Sequence, residues 1–458
     1  MLFHTWVFIA FFLVVYSIFL MLRPTRFWLP WLLIASYIFY GWWSPLYLIL
    51  VAYSTLLDYA CVILMERSRR RGLWLGISIA NNLFLLGFFK YAEFVTENIN
   101  WALDRMGTAT ALVTPDVLLP VGISFFTFQS MSYTIDFYRG EIPREKSFIR
   151  FATFVSFFPQ LVAGPIERAK ELLPQFHQRP TITRDNLSTG FCLFVTGLFK
   201  KLALANYLAG YIDPIFANPS NYDATALTCA VIGFAWQIYF DFSGYTDMAR
   251  GIAQLLGFRL MLNFNHPYLA SGLGDFWSRW HISLSTWFRD YVYIPLGGNR
   301  RGNFKLYRNL FITMLISGFW HGAAWQFLIW GAIHGIGMML MRPLERADWY
   351  QRFIPKVFKQ FGVFIFVSFA WIFFRAETLG DAENIIRRIA TESWGLPGFP
   401  LTCAALLLSI MIYQWIVENL RIESGPGRYL QFVCVLAMII YLSFAPGESN
   451  TPFIYFQF

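Results

Sequence analysis

The sequence predicts an all-α, polytopic membrane protein, and three observations predict it. Of its 458 residues, 57% are hydrophobic and only 14% are charged, far from the composition of a soluble domain. Stretches without Asp, Glu, Lys or Arg recur at lengths that suit a bilayer crossing. The basic residues behind the net charge of +9 lie between those stretches, which is the bias of cytoplasmic loops and no sign of nucleic-acid binding. The partner this composition requires is a lipid membrane. Cys61, Cys192, Cys229, Cys403 and Cys434 are scattered, with no CxxC or Cys/His spacing, so neither a disulfide nor a metal site is expected. No internal repeat, low-complexity tract or Pro/Ser linker appears, so 1–458 reads as one integral domain.

Residues 1–22 form the first span, with His4 at its interfacial tip. They lack a basic leader, so no cleavable signal is expected. Residues 27–57 carry no charge and are interrupted by Gly41-Trp42-Trp43-Ser44-Pro45, which reads as two spans joined by a tight turn. The run Glu66-Arg67-Ser68-Arg69-Arg70-Arg71 is the densest basic loop. It and Arg23/Arg26 fall on the cytoplasmic side, which leaves the N-terminus extracytoplasmic. Residues 72–89 cross again and bring a polar stretch, 91–116, to the outer side. Residues 117–180 mix apolar runs with Asp136, Arg139, Glu141, Glu167 and Arg168 and with Pro120, Pro143, Pro159 and Pro165. Short or re-entrant helices are expected there, because irregular backbone at membrane depth survives only inside protein or beside a wet cavity.

Residues 191–212 and 224–240 read as further spans. Residues 274–294, GDFWSRWHISLSTWFRDYVYI, read as one amphipathic helix, since Phe276, Trp280, Leu284, Trp287 and Tyr291 recur at helical spacing. His281 then points with the apolar residues, away from Arg279 and Arg289. The turn around Arg300-Arg301 and the segment Arg342 to Lys359 are cytoplasmic. Spans are expected at 360–374, 395–417 and 429–447, with a polar outer loop at 376–400 that includes an amphipathic helix. The tail, 448–458, is then extracytoplasmic.

Asn309 to Met341 is an uncharged stretch long enough for one span and part of a second, yet it contains His321 and His334. A titratable group at such depth is costly unless it meets a cavity or a partner. Each His reads either as a packing residue or as a functional one; the flanking Trp320 and Gly322 favour function for His321. Two histidines in apolar surroundings, His281 and His321, suit acyl transfer, in which a neutral imidazole takes a proton from a hydroxyl. Proton-coupled or polysaccharide transport also uses intramembrane His and Asp. The residues alone leave both open, although a transporter predicts a repeat that is absent here. No GxSxG elbow occurs.

Five blocks go further: Phe125–Gly140 (FFTFQSMSYTIDFYRG), Phe158–Arg168 (FPQLVAGPIER), Tyr239–Asp247 (YFDFSGYTD), Phe276–Arg300 and Ser317–Gly335 (SGFWHGAAWQFLIWGAIHG). In this order they resemble the membrane-bound O-acyltransferase (MBOAT) family, in the bacterial branch of alginate and peptidoglycan O-acetylation membrane subunits. The resemblance covers nearly the whole chain. It implies a ring of roughly 10–12 tilted transmembrane helices around a re-entrant core with a central tunnel. It makes His321 the catalytic histidine, places His281 where the family has a second polar residue, Asn or His, and marks His334 as a recurrent position of less definite role. Arg279, beside His281, is a candidate to orient it or to bind the donor. The implied donor is cytosolic acetyl-CoA, with no metal, and the implied location is the inner membrane. The implied partners are an extracytoplasmic SGNH/esterase-like acyltransferase and a polysaccharide acceptor. Transfer of another acyl group, such as D-alanine from a carrier protein, is the alternative within the family.

The tail ends in Pro452-Phe453-Ile454-Tyr455-Phe456-Gln457-Phe458, unusually aromatic for a terminus. Phe453, Tyr455 and Phe458 match a family FxYxxF pattern in which Tyr455 accepts the acyl group. A phenol of pKa about 10 is a leaving group close to a thiol of about 8.5, so its ester keeps much of a thioester's transfer potential. The 11-residue tail spans roughly 36 Å extended, against about 15 Å to the bilayer midplane. The other reading of the tail is a plug or docking strip. For Lys200-Lys201 and Arg300-Arg301, lipid anchoring is the preferred reading over contacts with coenzyme A phosphates. Asp136, Asp241 and Asp247 read as structural, and His177 and His266 as ordinary turn residues.

Overall fold

A computed structural model describes residues 1–444 of the chain except 109, 116, 301, 396–400 and 421–425. Tyr455, Phe453 and Phe458 therefore lie outside the described residues. The described secondary structure is helical throughout. Among the described residues, six helical stretches are long and apolar enough to cross a membrane: Pro45–Arg67, Arg71–Arg105, Arg184–Ala217, Ala224–Leu255, Trp325–Arg346 and Lys356–Arg375. Shorter apolar helices lie at Trp6–Leu22, Trp28–Gly41, Phe148–Leu161 and Phe432–Phe444. This is the polytopic all-α protein that composition predicts. The chain forms two compact units, Met1–Phe191 with Ala249–Met261, and Cys192–Met248 with Leu262–Phe458.

In the first unit the punctuation residues act where the sequence places them. Pro45 opens the Pro45–Arg67 helix, where its missing N–H removes no helical hydrogen bond. The stretch 91–116, expected as an outer polar segment, is helical as far as Arg105. Polar residues alone do not stop a helix, and the first glycine after Gly87 is Gly107, which takes φ +73°. Within 117–180 the chain is broken as expected, into Ile123–Arg139, Phe148–Ser156, Phe158–Leu161 and Ala169–Leu172.

The Ile123–Arg139 helix is buried along most of its length although it is rich in Ser and Thr, and its polar groups are paired. Gln129 Nε2 donates to the Phe154 carbonyl at 2.5 Å, and Ser130 donates to the buried Asp58 carboxylate. Ser78 and Asn82 donate to that carboxylate as well, at 2.6 and 2.9 Å. Such pairing is what makes a buried polar helix tolerable. Glu167, from the Phe158–Arg168 block, is buried and accepts the Met261 N–H at 2.6 Å. Gln175 makes a reciprocal pair with the Arg259 backbone, at 2.8 and 3.0 Å. Together they hold the extended segment that precedes Leu262.

In the second unit a Cβ on Gly197 would lie 2.4 Å from the Gly244 carbonyl, so two helices cross here backbone to backbone. Close beside this crossing, Lys201 pairs with Asp241 at 2.8 Å and Lys200 with Asp247 at 2.7 Å. This corrects the lipid-anchoring reading of the two lysines. Lys201 is 2% exposed and Asp241 5%, so neither reaches a headgroup; each is held by the other's charge in a protein interior. Asp241 and Asp247 each serve an ion pair, in line with a structural reading. Asn309–Met341 resolves into the end of Asn303–His321 and most of Trp325–Arg346. A Cβ on Gly318 would lie 2.2 Å from the Phe327 carbonyl, and one on Gly331 2.4 Å from the Met314 carbonyl. The glycines of this block thus let the two helices pack at backbone distance, the small-residue mode of membrane helix association.

Candidate active site

The expected single helix at 274–294 is in fact two short helices, Leu273–Arg279 and Ile282–Phe288, with His281 between them and a π-helical turn, Arg289–Tyr293, after. His281 adopts φ +43°, ψ +56°, the left-handed region that a residue with a Cβ enters at a cost of about 1–3 kcal/mol. The break turns His281 inward until it is fully buried. Its ring meets Phe242 at 4.7 Å and Trp320 at 6.3 Å between centroids. Burial holds the His281 imidazole well below its ordinary pKa, so it is neutral at physiological pH.

His321 is the last residue of Asn303–His321. Gly322 follows in extended conformation, and a Cβ there would lie 2.0 Å from the Phe327 ring. The helix therefore ends where only glycine fits, which fixes the direction of His321. The His321 ring stands 5.0 Å from Trp320, 5.1 Å from Trp330 and 5.2 Å from Phe374. His334 lies on the facing helix, fully buried, 4.8 Å from Trp330 and 5.1 Å from Trp277. Neither His334 ring nitrogen has a hydrogen-bond partner among the described residues.

The structure thus strings the three predicted histidines along one aromatic cluster. Trp320 neighbours His281 and His321, and Trp330 neighbours His321 and His334. Trp371 stacks on Trp330 at 5.7 Å and packs against Trp280 at 5.1 Å. Arg279 Nε donates to Asp275 at 2.7 Å, one helical turn earlier. The FxYxxF residues Phe453, Tyr455 and Phe458 are outside the described residues.

A cavity of about 280 Å³ lies beside this cluster. Trp277, already a wall of the His334 box, is also a wall of the cavity, and Ser317, one turn before His321, is another. Leu284, Phe288, Met314 and Met338 make the lining largely apolar, and Arg289, Arg342 and Glu345 supply its charges. The Arg342 Nε is buried with no hydrogen-bond partner among the described residues. Sequence reasoning missed this charged set, because Arg289 and Arg342 read as ordinary polar-face and loop charges. It also missed Trp330, whose spacing of four from His334 was the available signal.

Taken together, a deeply placed His321 beside an apolar cavity with basic groups can take a proton from a hydroxyl that reaches it. Comparison with known proteins gives the family. The model of the membrane-bound O-acyltransferase family matches residues 107–377. The chain is 43% identical to a probable alginate O-acetylase of Azotobacter vinelandii over the full length of both. It is 40% identical to a probable alginate O-acetylase of Pseudomonas putida, over 93% of this chain and 94% of that one. It is 36% identical to the peptidoglycan O-acetyltransferase of Helicobacter pylori, over 90% of this chain and 82% of that one. A multi-pass helical membrane protein with this histidine cluster and these relatives belongs to the membrane-bound O-acyltransferase family and is an O-acyltransferase.

Proposed function

We propose that this protein is an O-acetyltransferase of the inner membrane that takes acetyl from cytosolic acetyl-CoA and delivers it, through Tyr455, toward O-acetylation of an extracytoplasmic polysaccharide such as alginate or peptidoglycan. The observation that carries the reading is the position of His321 at a helix end, one turn beyond Ser317 on the wall of the cavity that also holds Arg289 and Arg342. The cavity fits the thin acyl–pantetheine arm of the donor, and the two arginines fit its phosphates. Glu345 opposes an anion there, so the phosphates belong on the arginine side.

His321 accepts the proton of the Tyr455 hydroxyl as the phenolic oxygen attacks the thioester carbonyl. The carbon–sulfur bond breaks, the proton passes to the departing sulfur, and coenzyme A leaves as the thiol while Tyr455 becomes an acetyl ester. His281 assists as a neutral partner held beside Trp320. A separate extracytoplasmic esterase-like acyltransferase then moves acetyl from Tyr455 to a sugar hydroxyl and regenerates the phenol. This order requires the N-terminus and the tail on the extracytoplasmic side, in line with the basic loops at Arg67–Arg71 and Arg342–Lys359 facing the cytoplasm.

The test uses sealed inverted membrane vesicles containing the full chain, given radiolabelled acetyl-CoA outside. Label should enter a protease-protected protein fraction inside the vesicles and should not do so with His321→Ala. Label confined to small molecules with both proteins would contradict the reading.

A further inference from the structure

The left-handed turn at His281 is held from a distant part of the chain. Ile282 N–H donates to the Asn263 carbonyl at 2.9 Å, and Asn265 N–H donates to the Arg279 carbonyl at 2.9 Å. These two backbone bonds bracket His281. Between them the Asn263 side chain closes on Ser283: its Oδ1 accepts the Ser283 N–H at 3.2 Å and the Ser283 hydroxyl at 2.9 Å. Asn263, Ser283 and His281 are all at most 1% exposed. Leu284 N–H donates to His281 Nδ1 at 3.4 Å, and Ser283 Oγ lies 3.4 Å from the same nitrogen.

We propose that Asn263 is a positioning residue for His281, acting through Ser283. Asn263 Oδ1 takes both the N–H and the hydroxyl proton of Ser283, which pins the residue two places after His281. The latch stabilises a backbone conformation that His does not choose for itself and so holds the ring in one orientation. Neither backbone bond depends on the Asn side chain, so its loss frees Ser283 and the ring while the bracket persists. The catalytic consequence rests on the reading of His281 as part of the reacting centre; the structural consequence does not.

The experiment is ¹⁵N NMR of the full chain in lipid nanodiscs, labelled at its six histidines, with the His281 signals assigned by His281→Ala. Wild type should show one set of His281 ring signals. Asn263→Ala and Ser283→Ala should both shift or broaden the His281 ring signals, as a ring released into several orientations does, and leave those of His321 in place. Asn263→Ala should lower kcat for acetyl transfer about tenfold or more, with KM for the donor changed by less than about twofold, as misorientation of a reacting group does. Unchanged His281 signals in either variant would overturn the proposal; Ser283→Ala, which deletes one hydroxyl and keeps the Asn263 carboxamide, carries the test if Asn263→Ala does not fold. Should the signals shift while His281→Ala transfers acetyl at the wild-type rate, the positioning stands and the catalytic reading of His281 fails.

Discussion

His321 stands 5.1 Å from Trp330, ring centroid to ring centroid and nearly perpendicular, at 84°. The two residues come from facing helices, so this contact is how the helix pair Asn303–His321 and Trp325–Arg346 presents an imidazole to the site. The edge-to-face geometry holds the ring in one orientation. Replacing His321 with Ala should lower kcat by about 10²–10⁴-fold, the usual worth of a general base. Donor affinity, measured by equilibrium binding of a non-hydrolysable acyl-CoA, should stay close to wild type.

The packing that makes this contact depends on small residues. Gly318→Ala pushes a methyl against the Phe327 carbonyl, 2.2 Å from the ideal Cβ position. It should destabilise by about 1–3 kcal/mol, as overpacking does, and should reduce transfer because it displaces His321. Gly362→Ala, inside Lys356–Arg375 with nothing within 4 Å of its Cβ position, is the matched control and should not lower the thermal midpoint in detergent.

The buried pair Lys201–Asp241 makes a second test. Lys201→Met leaves an uncompensated carboxylate and should cost about 3–5 kcal/mol. Adding Asp241→Leu removes that carboxylate and should recover much of the loss. A double variant as unstable as the single one would show that the pair's geometry, not its charge balance, holds the crossing near Gly197 and Gly244.

Burial pushes the Glu167 carboxyl up to about 8, from an ordinary value of 4.5, against the smaller opposing effects of the Met261 N–H and Arg250; Glu171 adds to the rise. A group whose folded pKa is raised binds its proton more tightly in the folded state. Its contribution is complete below pH 4.5 and is lost as the pH rises through 8. Glu167→Gln keeps the acceptor for Met261 and removes the titration. Stability measured between pH 5 and 9 should therefore fall more steeply in wild type than in Glu167→Gln.

Much of this was legible in the sequence. Uncharged runs located the helices, and the WHG and IHG blocks located His321 and His334, because a histidine inside uncharged, glycine-rich sequence has few structural reasons to be there. The break at His281 was not legible. The apolar spacing of Phe276, Trp280, Leu284 and Trp287 continues across it as though the helix were unbroken, and positive φ is uncommon even for His, so a lone His gives little turn signal. Its cause lies in Asn263, almost twenty residues upstream, and tertiary hydrogen bonds of that kind leave no local pattern. Lys200 and Lys201 were misread for a related reason: their partners Asp241 and Asp247 are one helix away, and the charge of a lysine does not announce its counter-ion.

The central claim is that acetyl passes from coenzyme A to this chain itself. The direct measurement is intact mass spectrometry of the purified full-length protein after incubation with acetyl-CoA, followed by peptide mapping. The account predicts a gain of one acetyl group, mapped to Tyr455, absent in Tyr455→Phe and in His321→Ala. An acetyl adduct that forms equally in His321→Ala, or transfer to a supplied partner that proceeds undiminished in Tyr455→Phe, would contradict it.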